Sequence, residues 1–139
     1  MRILAPISLG ELLDKLTILE LKEEYITDEL KLQNIRHELD ELSKILSNLL
    51  VKTPTHNERK ELKAVNRELW HIENFKRGCE QDQVFDQGFI QAAREVYLKN
   101  DLRAEIKRRI NRLTGSSIVE EKGHSNKYIQ TPMVTSPQG

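Results

Sequence analysis

The stretch SLGELLDKLTILEL, residues 8–21, decides the fold of this chain. Ser8 and Glu11 have the spacing of a capping box, in which two side chains satisfy free backbone N–H groups in the first turn of a helix. Apolar residues then follow in steps of three and four, at Leu9, Leu12, Leu16 and Leu19. Such spacing places them on one helix face. The stretch therefore predicts an amphipathic helix that begins at Ser8.

The same spacing continues beyond this stretch. It returns as a heptad pattern, typical of coiled coils, at Leu32, Ile35, Leu39, Leu42, Leu46 and Leu49. Around residues 25–30 the apolar positions change phase by about two residues, and no glycine or proline occurs from Glu11 to Thr53. We therefore predict a single helix of about 40 residues, about 60 Å long. The change of phase indicates a bend or a change of packing partner.

Two further helical segments follow. Pro54 ends the first helix, and a second helix, predicted over residues 58–80, carries an apolar stripe at Leu62, Val65, Leu69 and Ile72. A short turn between complementary stripes predicts an antiparallel, coiled-coil-like helical hairpin. The third, C-terminal segment runs from a cap at Asp86 to Gly115. Asn100 and Asp101 either lie within one helix or split this segment into two.

The ends of the chain are predicted to be short and extended. Pro6 excludes residues 2–8 from a central strand, whereas residues 117–120 favour β-structure. These segments either pair as a small ribbon or stay loose. Residues 123–139 are rich in Ser, Thr, Pro and Gly, which predicts a disordered tail. The sequence thus indicates an all-α protein with a single helical domain over residues 1–122.

Composition and charge exclude several classes of protein. Among 139 residues, 22 Lys and Arg balance 22 Asp and Glu, so no net field attracts nucleic acid or an anionic membrane. Cys79 is the only cysteine, which excludes an intrachain disulfide and a cysteine-based zinc cluster. The first apolar run is too short for a signal peptide, so a cytoplasmic location is the default. Because no phosphate loop or dinucleotide-binding motif occurs, we expect no cofactor.

Charged residues interrupt the leucines of the first helix, and some of these charges must lie close to buried surface. Buried charges need partners, which the third segment offers. We therefore expect either a ligand site or a packed subunit interface between two sets of residues, which are Asp14, Lys15 and Glu20 on the first helix, and Arg94, Tyr97, Asp101, Arg103 and Lys107 on the third segment. A polar strip on the second helix, formed by Asn66, Trp70, Glu73 and Arg77, adds Trp70 and Glu73 to these candidates.

Two pairs of glutamates allow a metal-dependent alternative. Glu20 with Glu23, and Glu38 with Glu41, are three residues apart, so each pair lies within one helical turn and could share a magnesium ion. The pairs resemble the metal-binding helices of all-α nucleotide pyrophosphohydrolases. Such pairs are also common on solvated helix faces, and both interpretations stay open.

Two blocks of sequence together resemble a known family. The first block is residues 2–22, and the second comprises residues 93–97, 100–104, 107–111 and 119–122, with residues 66–73 between them. Over residues 2–122 the chain is similar to a family of short bacterial and phage proteins known only as a domain of unknown function. The resemblance implies no activity, substrate or cofactor, and it leaves a cell or a virion open as the location.

Two functions fit the sequence. The first is a non-enzymatic helical scaffold or protein-interaction module that self-associates through its long first helix. The second helix is too short to cover the apolar stripe over residues 12–21, so that stripe must bury against the third segment or another subunit. The second is a protein that binds a nucleotide or nucleotide sugar, or a metal-dependent nucleotide hydrolase, with its polar site between the first and third segments. We favour the first, with a second copy or another protein as partner, since no cofactor motif accompanies the polar residues.

Overall fold

The computed structural model describes residues 1–124, which form four α-helices. These are α1 (Leu9–Tyr25), α2 (Glu29–Ser47), α3 (His56–Asp82) and α4 (Gln87–Leu113). No strand occurs within residues 1–124, so the predicted all-α class is confirmed. Of the predicted tail, residues 125–139 lie outside the described residues. None of the described helices combines the length and the hydropathy needed to cross a bilayer.

Local signals predicted several helix ends correctly. The Ser8 hydroxyl accepts a hydrogen bond from the Glu11 N–H at 3.2 Å, and the Asp86 carboxylate accepts one from the Phe89 N–H at 3.2 Å. Gly115 ends the last helix with a left-handed φ of 66°, which glycine adopts without steric cost. The third predicted segment is one continuous helix, α4, so the split at residues 100–101 does not occur.

The predicted single long first helix is wrong. The chain leaves helical geometry at Ile26, whose φ and ψ of −86° and 131° are extended. A new helix begins after Asp28, whose carboxylate accepts a hydrogen bond from the Lys31 N–H at 2.9 Å. This break falls where the apolar pattern changes phase. It lets α2 fold back along α1, where Arg36 lies 3.5 Å from Glu23.

The central helix is α1. It contacts α2, α3 and α4, whereas α2 packs against α1 alone. The predicted hairpin between the heptad stretch and the second predicted helix is therefore wrong among the described residues. Leu32 and Ile35 of the heptad stretch are buried against α1, because α2 packs on no other helix.

The core lies where α1, α3 and α4 meet. Its buried members are Leu12, Leu13, Leu16, Leu62, Val65, Leu69, Ile106 and Ile110. The leucines of α1 over residues 12–21 are at most 3% exposed, and this burial is provided by other helices of the same chain. Of the two predicted partners for this stripe, the third segment and another subunit, the third segment contributes to its burial through Ile106 and Ile110, so the stripe does not require a second subunit.

The helices α3 and α4 form an antiparallel pair that is longer than α1. Glu61 of α3 lies 3.0 Å from Arg109 of α4, and further along the pair Glu68 binds Lys99. The polar contacts of α1 fall on residues 59–71 of α3 and residues 107–111 of α4. Residues 72–102 extend beyond these contacts, and we call them the projecting pair. Within this range only Ala92 is buried.

Candidate functional site

The predicted site residues do not form a single site. Three of them meet in the interior between α1, α3 and α4, and these are Asp14, Arg103 and Lys107. Two lie at the edge between α1 and α3, namely Glu20 and Trp70. Three lie on α4 away from α1, namely Arg94, Tyr97 and Asp101. The last two form ion pairs within their own helices, and these are Lys15 and Glu73.

The interior residues form a buried network around Asp14, whose exposed fraction is 6%. We call it the interior polar cluster, and its members are Glu11, Asp14, Thr17, Asn66, Arg103 and Lys107. The Asn66 amide nitrogen donates to the Asp14 carboxylate at 2.9 Å and to the Thr17 hydroxyl at 3.0 Å. Arg103 donates to the Asn66 amide oxygen at 3.4 Å. One asparagine of α3 therefore links α1 to α4.

Lys107 supplies positive charge to the interior polar cluster. Its Nζ lies 2.6 Å from Glu11 and 3.7 Å from Asp14, both on α1, and 3.2 Å from Glu120, which follows α4. Burial lowers the pKa of Lys107, but its contacts with these carboxylates raise that pKa above the ordinary value. Burial likewise raises the pKa of Glu11, but its hydrogen bonds with Lys107 and Glu120 and the charges of Lys107 and Lys15 together lower that pKa below its ordinary value. Both groups therefore stay charged around neutral pH.

The interior polar cluster satisfies its own hydrogen bonds. Within residues 1–124 no buried side-chain nitrogen or oxygen lacks a hydrogen-bond partner. A cavity of about 290 Å³ lies beside the cluster, between α4 and residues 115–122, and Lys107 lines it. A ligand carboxylate or phosphate entering there would have to displace Glu120 from Lys107. The geometry is that of a structural ion-pair network, which holds three helices in register.

Basic side chains bind both carboxylates of the first glutamate pair. Glu20 binds Arg59 and Lys63 of α3, whereas Glu23 binds Arg36 of α2. The two carboxylates of this pair therefore bind side chains on different helices. No group of three potential metal ligands occurs within residues 1–124.

The edge between α1 and α3 carries both ion pairs and aromatic contacts. Burial raises the pKa of Glu20, but hydrogen bonds from Lys63 and Arg59 lower that pKa below its ordinary value. One helical turn further, Tyr25 stacks on Trp70 with ring centroids 5.4 Å apart. The arrangement fixes the orientation of α1 on α3.

The outer face of α4 carries a stripe of exposed residues in steps of four and three. We call it the outer stripe, and its members are Ile90, Arg94, Tyr97, Leu98 and Asp101. Ile90, Tyr97 and Leu98 are 48%, 41% and 46% exposed. Asp101 forms an ion pair with Lys122. Within the described residues, the ion pairs of α4 involve Lys99, Asp101, Lys107 and Arg109. Arg94 is not among them, and its side chain is exposed to solvent.

An open apolar groove of about 1020 Å³ lies at the end of the molecule where α1 begins. Its walls are aliphatic and include Ile3, Leu9, Leu42, Ile45, Leu49 and Ile118. The predicted extended segments at the two ends of the domain both line this groove, but they do not pair as a ribbon, since residues 1–124 contain no strand. The sequence did not predict the groove, because it depends on α2 folding back along α1.

Several residues that organise these contacts were missed from the sequence. Asn111 is buried and accepts a hydrogen bond from the Gly10 N–H at 2.8 Å, so it caps the first turn of α1 from another helix. Tyr25 accepts a hydrogen bond from Arg67 at 2.6 Å. No local signal marks either residue, because both contacts join distant parts of the chain. The glycine within the first turn of a leucine-rich helix was the one available indication of a close helix contact.

Comparison with known protein families gave a match over most of the chain. The sequence profile of a family of unknown function (DUF6165) matches residues 3–138. This match extends past residue 122, where the resemblance seen in the sequence ended. No curated protein and no solved structure matches the chain significantly.

Proposed function

We propose that this chain, which belongs to the DUF6165 family of unknown function, is a helical protein-interaction module that self-associates. The observation that carries the proposal is the projecting pair. The projecting pair leaves four large apolar side chains about half exposed, and these are Phe75, Phe85, Ile90 and Leu98. Exposed apolar surface concentrated in one part of a fold marks interaction sites on proteins.

Packing energetics supports a further partner for the projecting pair. Two helices bury only the stripe between them, and helical proteins usually complete a core with a third or fourth helix. Here the polar contacts of α1 with α3 end at residue 71, and Ala92 is the one buried side chain of the projecting pair. A second projecting pair would complete a four-helix arrangement.

The charge balance supports a second copy as that partner. The chain carries 22 basic and 22 acidic residues, so two copies do not repel each other at neutral pH. Net charge near zero promotes association between identical molecules. The interacting surface in this proposal is the α3–α4 pair and not the first helix, whose leucines are already buried.

Sedimentation velocity of the full chain over about 1–200 µM tests the proposal. We expect a concentration-dependent dimer or larger assembly. Leu98→Glu should shift the chain towards monomer because it places a charge on the exposed apolar face. Leu30→Glu is the matched control, since Leu30 is 74% exposed on α2 and lies outside the projecting pair. A compact monomer over the whole concentration range would contradict self-association.

The alternative function, a nucleotide or nucleotide-sugar site between the first and third segments, has less support. Of the residues that it requires, Asp14, Arg103 and Lys107 are held within the interior polar cluster. Arg94, Tyr97 and Asp101 do not join them. A thermal-shift screen with nucleotides, nucleotide sugars and magnesium compares the two functions. We expect no reproducible shift, and a shift that Lys107→Met abolishes would favour the alternative.

A further inference from the structure

We propose that the outer stripe is the surface on which the second copy docks. In this arrangement two α4 helices pack antiparallel about a twofold axis, with Arg94 of each copy opposite the partner's Asp101. The inference rests on the proposed self-association and names the residues that direct it.

The spacing of the stripe makes it self-complementary. Arg94 and Asp101 carry opposite charges and lie on the same helix face. Each lies about one helical turn from the midpoint between Tyr97 and Leu98, in opposite directions along α4. In an antiparallel pair centred on that midpoint, position 94 of one helix faces position 101 of the other. A twofold interface repeats every contact, so a single arrangement forms two ion pairs.

The centre of the stripe is suited to burial. Tyr97 and Leu98 are 41% and 46% exposed in the single chain, and Tyr97 of each copy would face the partner's Leu98 across the axis. Tyrosine is common at interfaces because it combines a large apolar area with a polar end. Ile90 is the exposed apolar residue at one end of the stripe, and Leu102, next to Asp101, is exposed beside its other end. An apolar centre with opposite charges on either side is a common interface arrangement.

Both charges are available for this contact. Arg94 is exposed and takes no part in the ion pairs of α4 within residues 1–124. Asp101 binds Lys122 through its Oδ1 atom, and a carboxylate has a second oxygen that can accept from another donor. The partner's Arg94 can therefore bind Asp101 while Lys122 stays in place.

A second copy is favoured over an unrelated partner because one helix face carries both the basic and the acidic residue of each ion pair. An unrelated partner would have to present its own acid and its own base at the same spacing. Antiparallel packing of identical helices supplies them automatically. The same pairing also specifies register, since a shift by one turn brings Arg94 away from the partner's Asp101.

Charge reversal in the full chain tests the arrangement. Arg94→Asp alone and Asp101→Arg alone should each weaken the dimer by about tenfold or more, because each variant creates two like-charge contacts. An equimolar mixture of the two variants should form a heterodimer with near wild-type affinity, since every reversed charge then meets its opposite. The double variant Arg94→Asp/Asp101→Arg should recover in the same way. Circular dichroism of each variant checks that it is folded.

Two controls separate the ion pair from other effects. Lys122→Ala removes the intrachain partner of Asp101 and should leave the dimer intact. Arg77→Asp reverses an exposed charge on α3, off the stripe, and should also leave it intact.

The outcomes distinguish the inference from the proposed function. A wild-type chain that stays monomeric contradicts both. A wild-type dimer that tolerates both charge reversals, or variants that fail to recover on mixing, overturns the outer stripe as the interface while self-association stands.

Discussion

Gly10 of α1 and Asn111 of α4 are in direct contact. The Gly10 N–H donates to Asn111 Oδ1 at 2.8 Å. A Cβ atom on Gly10 would lie 2.7 Å from that oxygen and 2.7 Å from the Lys107 carbonyl oxygen. The beginning of α1 therefore approaches α4 more closely than any residue with a side chain allows.

Replacing Gly10 by alanine should lower the free energy of unfolding by about 1–3 kcal/mol, as overpacked sites do. Chemical denaturation followed by circular dichroism measures the change. Gly78→Ala is the matched control, because nothing lies within 4 Å of a Cβ added there and Gly78 is inside α3. We expect that control to raise stability by about 0.5–1 kcal/mol. Equal effects of the two substitutions would contradict the close contact.

Asn66→Ala should destabilise the chain by about 1–3 kcal/mol or more, because it removes a donor from the buried Asp14 carboxylate. The same measurement of unfolding applies. Asn74→Ala, an exposed position on the same helix, should change stability by less than about 0.5 kcal/mol. If Asn66→Ala behaves like that control, the interior polar cluster does not hold the three helices together.

The sequence predicted what depends on neighbouring residues. The caps at Ser8 and Asp86 and the stop at Gly115 formed as predicted, since a cap needs only a few residues of local sequence. The break after Tyr25 has no glycine or proline, and it forms because α2 buries its own leucines when it folds back. The change of phase in the apolar pattern indicated the position of this break, but it did not distinguish a bend from the end of the helix.

The candidate site was predicted in part for a similar reason. Complementary charge between the first and last helices predicted the contact of Asp14 with Lys107. It did not predict that Arg94 and Tyr97 are exposed on α4, because the part of α4 that meets α1 depends on how the helices cross. The sequence assigned Asn66 to a polar strip, but its role in joining the charges became recognisable only once α3 was placed between α1 and α4.

The stability of the chain should fall in acid partly through Glu20. Its pKa in the folded chain is lowered below the ordinary value of 4.5, so the charged carboxylate stabilises the fold above that pH. This contribution is lost as the pH falls below 4.5 and through the folded pKa. Unfolding measured between pH 3 and pH 7 should therefore depend less steeply on pH in Glu20→Gln than in the wild type. Parallel curves would contradict the contribution, and Glu105→Gln, at an exposed position, is the control.

Trp70 is the only tryptophan, so its fluorescence reports the contact with Tyr25. Tyr25→Ala should shift the emission to longer wavelength, because the stacked ring that shields the indole is removed. It should also lower stability by about 0.5–1.5 kcal/mol beyond the loss of buried area. Tyr25→Phe keeps the ring and should leave the emission close to that of the wild type. An unchanged spectrum in Tyr25→Ala would place Trp70 away from Tyr25.

The central position of α1 has a consequence for synthesis of the chain. Its residues are translated first, yet the buried side chains that cover its leucines include Ile106 and Ile110 near the other end of the domain. During synthesis α1 can pack against α2 early. The leucines of α1 that α4 covers stay exposed until α4 has left the ribosome. We therefore expect α1 to be a binding site for chaperones during translation, and the chain to reach its native packing only late in synthesis.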